Sequence, residues 1–102
     1  LKAGPAAAAP AVTYTMQLAS SAAVAVTSVA AYETVVNLST NKVISQQFVA
    51  QGISLPAGST YDITRTVAVG PHQTRASITV LVIGAGQDGQ PRVGTLAFQA
   101  ST

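Results

Sequence analysis

Gly84-Ala85-Gly86-Gln87-Asp88-Gly89 matches the spacing G-x-G-x-x-G behind an apolar run. In a dinucleotide site the third glycine opens a helix whose N-terminus holds the pyrophosphate. Here Pro91 and a β-patterned run follow, so the segment reads as a hairpin loop and no cofactor is expected. His72 is the only histidine. A Ser/His/Asp site would need it as the base, with Asp62 or Asp88 orienting it. It sits in a Gly-Pro turn, no serine has a nucleophile-elbow sequence around it, and it reads as a solvated turn histidine. Glu33, Asp62 and Asp88 fall on three different segments, with no spacing that pairs two carboxylates. One histidine and no cysteine remove a histidine-rich or thiolate metal site, a thiol nucleophile and a disulfide framework. Asp88 with loop carbonyls would make only a weak calcium site. The expectation is a chain that is not an enzyme and holds no metal.

The elements around these residues belong to a chain of 102 residues, 48% hydrophobic and 8% charged. That length is one domain's worth, and the apolar content argues against a disordered charged tail. The pI of about 9.4 comes from five Lys/Arg against three Asp/Glu and marks no basic patch, so no nucleic acid partner is expected. Polar surface must come from Ser, Thr, Gln and Asn. Such a charge-poor chain fits an extracellular or cell-surface protein, or a subunit buried in an assembly, and its weak charge repulsion favours self-association. Asn37-Leu38-Ser39 is an N-glycosylation acceptor triplet. The longest apolar stretch, residues 22–32, is shorter than the roughly 20 residues of a spanning helix, so no membrane span is expected.

Residues 1–11 (LKAGPAAAAPA) read as an Ala/Pro-rich arm or linker, because Pro5 and Pro10 oppose both helix and ladder pairing. They lack a charged start followed by an apolar core, so the chain reads as a mature product or an excised domain. Residues 12–102 read as one domain. Val12, Tyr14, Met16 and Leu18 alternate with Thr13, Thr15 and Gln17, a half-buried strand. Residues 22–38 read as two strands breaking near 27–30, with a helix as the alternative. Further strands are expected at 43–50, briefly at 53–55, and at 60–69, 76–83 and 92–99, separated by turns at 39–42, 56–59 and 70–74. The loop at 84–91 makes the last two a hairpin. Within 60–69, Tyr61, Ile63, Val67 and Val69 share a face with Arg65 as the odd member. The same alternation places Tyr32 and Tyr61 in the core. Arg65, Arg75 and Arg92 read as surface or edge-protecting charge that would share a face if the strands pair as patterned. The pattern therefore predicts about seven antiparallel strands in an all-β sandwich.

Residues 55–64 (LPAGSTYDIT), followed by a turn and a further apolar strand, resemble the second half of bacterial and archaeal immunoglobulin-like or fibronectin-III-like modules. The nearest likeness is to cell-adhesion-related (CARDB-type) domains, over residues 53–98. The resemblance implies an Ig-like sandwich and an adhesive, spacer or filament-forming role. Two strands follow Tyr61 where fibronectin-like modules have one, which keeps a jelly-roll as the alternative topology.

Two functions follow. The first is a non-catalytic extracellular structural subunit that self-assembles into a filament, pilus-like fibre or shell. Strand or N-terminal-arm exchange would join the copies, with Val12, Tyr14, Met16 and Leu18 filling a neighbour's groove. The alternative is a monomeric Ig-like spacer or carbohydrate-binding accessory module, whose partners would be glycans or a cell surface.

Overall fold

In a computed structural model of the chain, residues 11–69 and 74–101 are described. They form six strands and no helix: β1 (Ala11–Ala19), β2 (Val26–Asn37), β3 (Lys42–Leu55), β4 (Thr60–Ala68), β5 (Arg75–Gly86) and β6 (Pro91–Ser101). β1 pairs with β4 in a two-stranded sheet, and the other four make a sheet in the order β3-β2-β5-β6, every pairing antiparallel. The chain changes sheet after β1, after β3 and after β4. No helix among the described residues is long and apolar enough to cross a membrane.

Alternation decides which side of each strand is buried, since successive side chains point to opposite faces. Met16, Leu18 and Val67 turn inward from the two-stranded sheet. Val29, Ala31, Val35, Ala76, Ile78 and Val80 meet them from the four-stranded sheet. The central strands β2 and β5 supply most of the fully buried side chains. The outer face of the two-stranded sheet is polar. Thr13 bonds Thr66 and Thr15 bonds Thr64 through their hydroxyls, at 3.0 and 3.1 Å.

Six strands replace the expected seven because the predicted break near 27–30 is a bulge. Pairing of β2 with β5 steps from Thr27–Ala85 to Ala30–Ile83, one extra residue on β2, and Ser28 sits there at φ 54°. A bulge of this kind bends a strand without ending it. The predicted strands at 43–50 and 53–55 likewise run together as β3, with Gly52 at φ 64° absorbing the register shift.

The 56–59 turn carries the chain from β3 back to β4 and is tied to the end of β1. The Ser20 and Gly58 amides donate to the Ser59 and Ser21 carbonyls at 3.0 and 2.7 Å. The predicted β5–β6 hairpin is present, and its glycines are explained by packing. A Cβ on Gly84 would lie 2.6 Å from a methyl of Val26, and Gly89 turns the hairpin at φ 82°.

Candidate functional site

An open groove of about 410 Å³ lies between the sheets where β1 runs past β6. Val26, Val29, Leu55 and Val82 contribute apolar surface, with Leu18 from β1 and Leu96 from β6. Gly94, an inward position of β6, leaves part of this space, since a Cβ there would meet nothing closer than 4.0 Å. Gly94 stands opposite Val82, and Gly84 opposite Arg92. At the other end of β1, Tyr14 packs edge-on against Phe98 with ring centroids 5.2 Å apart.

β1 borders this groove with an edge that no described strand covers. It is nine residues long, pairs with β4 without a register shift, and contains no charged residue and no proline. Charges, prolines and bulges are the devices that keep an edge from pairing with another chain. The other three outer strands each carry at least one of them. β3 holds Lys42 and bulges, β4 holds Asp62 and Arg65, and β6 opens with Pro91 and Arg92.

Under the middle of the sandwich lies a charged cluster that the sequence reading missed. Glu33, on the buried face of β2, is fully inaccessible. Arg65 of β4 grips it with two prongs, Nε donating to Oε2 at 3.2 Å and Nη2 to Oε1 at 3.1 Å. The Tyr14 hydroxyl of β1 also donates to Oε2. Tyr14 and Arg65 are register partners across β1–β4, so the pairing delivers both to the same carboxylate. Gln47, opposite Glu33 on β3, adds a further side-chain bond.

Burial alone would raise the Glu33 carboxyl, but the bonds from Arg65 and Tyr14 outweigh it and hold the group below its ordinary value. Burial, then the bond to Glu33, pushes the Tyr14 phenol well up. Every buried side-chain nitrogen and oxygen among the described residues has a partner. The cluster works as a clamp between sheets, with an ionised carboxylate at neutral pH. The signal for it was present in the sequence: Glu33 interrupts the apolar series Val29, Ala31, Val35, and Arg65 interrupts that of β4.

The other sequence candidates fall in separate places. Val12, Tyr14, Met16 and Leu18 face the chain's own core, with Met16 and Leu18 buried and Val12 and Tyr14 packed against them. Asp62 is exposed on the outer face of β4, opposite Gln17. Asp88 lies in the β5–β6 turn, where it accepts the Gln90 amide at 3.1 Å and pairs with Arg92. His72 lies outside the described residues.

The three arginines do not share a face. Arg65 points between the sheets, Arg75 is exposed beside Gln99, and Arg92 braces the turn. Tyr32 is on the outer face of the four-stranded sheet, stacked edge-on against Phe48 at 5.0 Å, because β2 spends its inward positions on Glu33 and the small apolar series. Tyr61 has the predicted inward parity, but lies near the end of β4 and stays 47% exposed. Asn37 ends β2, and its side-chain oxygen accepts the Ser39 and Thr40 amides at 2.8 and 3.2 Å. No three His, Asp or Glu side chains gather among the described residues. Compared with protein-family models, curated proteins and solved structures, the chain matches none.

Proposed function

We propose that the chain is a non-catalytic extracellular structural subunit that assembles with its own copies through the β1 edge. The observation that carries this reading is the combination at β1: a regular, uncharged edge that no described strand covers, alongside a groove lined mainly by apolar side chains, with Gln17, Thr95 and Arg92 also in its lining. The acceptor offers main-chain donors and acceptors at the edge and a place for small side chains in the groove. The arm of a neighbouring copy is the donor. Its Pro5 and Pro10 cannot donate to a ladder and bracket four alanines that can. Exchange of β1 itself between copies is the second route. A swapped β1 would make the same Met16, Leu18 and Tyr14 contacts across chains that it makes within one chain.

We also propose an Ig-like topology for this strand order, and it would favour the same occupant of the edge. The order β3-β2-β5-β6 against β1-β4 follows the C′-C-F-G and B-E arrangement of immunoglobulin sandwiches. In that arrangement the strand beside β1 is the one that comes before it in the chain, so an arm is the natural occupant of this edge.

The test is the size distribution of the protein across concentration, by light scattering with negative-stain imaging. Large ordered particles are expected for the full chain. They should be lost on deleting residues 1–10 and in Gly94→Lys, which fills the groove with a long side chain and adds a second cation to that of Arg92, at a point where a Cβ meets nothing closer than 4.0 Å. A 10.2 kDa monomer at every concentration would overturn the proposal.

A further inference from the structure

A sandwich face that meets water is ordinarily polar, as the threonine face of β1–β4 is. The outer face of the four-stranded sheet departs from this. Phe48, Tyr32 and Leu81 follow one another in register across β3, β2 and β5, and Ala30, Ile83 and Val93 do so in the next row across β2, β5 and β6. Phe48, Leu81, Ile83 and Val93 are 53%, 45%, 49% and 66% exposed. The rows beyond are uncharged for the most part, with Thr34 opposite Thr79, until Arg75 at the far end of β5.

We infer that this face is a second self-association surface, on which two copies pack sheet against sheet. Size is the first argument. Four strands about 4.8 Å apart and some 11 residues long cover roughly 700 Å², close to the ~800 Å² per partner of a stable interface. Charge is the second. The face holds no carboxylate, and its one cation lies at an end. A charged partner therefore finds nothing to complement, whereas a copy of the same face meets apolar surface with apolar surface. A two-fold axis in the interface plane and across the strands lays β5 over β5 and sends the two Arg75 side chains to opposite ends. The aromatic pair with its leucine and valine neighbours is the kind of cluster that carries binding energy, and the Thr34–Thr79 row lies beside it within the same footprint.

This surface is separate from the β1 edge, so the experiment removes the edge first. In the full chain carrying Gly94→Lys, sedimentation should show a species of twice 10.2 kDa. Adding Leu81→Lys should give monomers with an unchanged circular dichroism spectrum, the dimer dissociation constant rising about 100-fold or more. Val93→Thr on the same background should weaken the dimer without adding charge, and it decides the matter if Leu81→Lys unfolds.

The inference is overturned if the Gly94→Lys chain stays monomeric, or if its dimer survives both face substitutions. A monomer that instead floats with phosphatidylcholine vesicles would also overturn it, in favour of a lipid surface. Large particles persisting in Gly94→Lys would count against the edge proposal alone. The face is then judged by whether Leu81→Lys turns the smallest species from dimer to monomer.

Discussion

Arg65 and Glu33 stand on opposite sheets and close a two-pronged ion pair across the interior, at 3.2 and 3.1 Å. Glu33 is inaccessible while the Arg65 side chain keeps 25% of its surface in contact with solvent. The pair therefore reaches from the core toward one edge. An ion pair buried on one side gains little net stability, because desolvation offsets the attraction. Its consequence is geometric. Only the register that puts Tyr14 opposite Arg65, over Glu33, satisfies the carboxylate. A one-residue slip of β1 against β4 would put Tyr14 and Arg65 on opposite faces of the two-stranded sheet, so that only one of them could reach Glu33.

Removing one partner should therefore cost far more than removing all three. Arg65→Ala leaves Glu33 buried without its counter-charge and should destabilise the fold by about 3–5 kcal/mol, toward the lower end because Arg65 is partly solvated. At about 4–8 °C per kcal/mol for a domain near this size, thermal unfolding should fall by more than 10 °C. Replacing Glu33, Arg65 and Tyr14 together by Met, Met and Phe should recover most of that loss. Calorimetry on the single and triple variants reads the difference. A triple variant as unstable as Arg65→Ala would show that the loss comes from packing.

Stability should also have both an acid and an alkaline limb from this cluster. Glu33 titrates below its ordinary 4.5 in the fold, so its contribution is present above that value and lost as pH falls through the lowered one. Tyr14 titrates above its ordinary 10.0, so its contribution is present below 10.0 and lost as pH rises further. Urea midpoints should be level between the two limbs. Glu33→Gln should flatten the acid limb and Tyr14→Phe the alkaline one. Limbs unchanged in both variants would place the titrating groups elsewhere.

The strands were legible because alternation is a local property. Val12 to Leu18 and Tyr61 to Val67 show it directly, and the Asp88-Gly89 hairpin is turn chemistry within a few residues. Two things were not legible. The 27–30 segment looks broken in isolation, since only the facing strand β5 shows that one residue bulges while pairing resumes at Ala30. Tyr32 and Glu33 are neighbours on opposite faces, and hydrophobicity alone sends the tyrosine inward. The tie that buries Glu33 lies 32 residues away at Arg65, on the other sheet. Periodicity names the faces of a strand; the partner strand decides which face is inside.

Asn37 should stabilise the β2–β3 turn by about 1 kcal/mol, since its side-chain oxygen accepts two amides there. Asn37→Asp keeps the acceptor and should be nearly neutral, whereas Asn37→Ala should lose that amount in chemical denaturation. Equal losses in both would show that the amide NH₂, and not the oxygen, matters.

The close packing of Val26 and Val29 beside the groove depends on Gly84. A methyl there would meet Val26 at 2.6 Å and Val29 at 3.0 Å, and these short branched side chains cannot swing aside. Gly84→Ala should destabilise by about 1–3 kcal/mol, the ordinary cost of overpacking a core. Val26→Ala alone should also destabilise, by about 1–3 kcal/mol, through the cavity it leaves. In the double variant the new methyl occupies part of that cavity, so the two losses should fall short of adding by about 1 kcal/mol or more. Simple additivity would mean that Gly84 is required for its backbone alone. A coupled pair would mean that β5 carries glycine at this point so that the bulged start of β2 can pack across it.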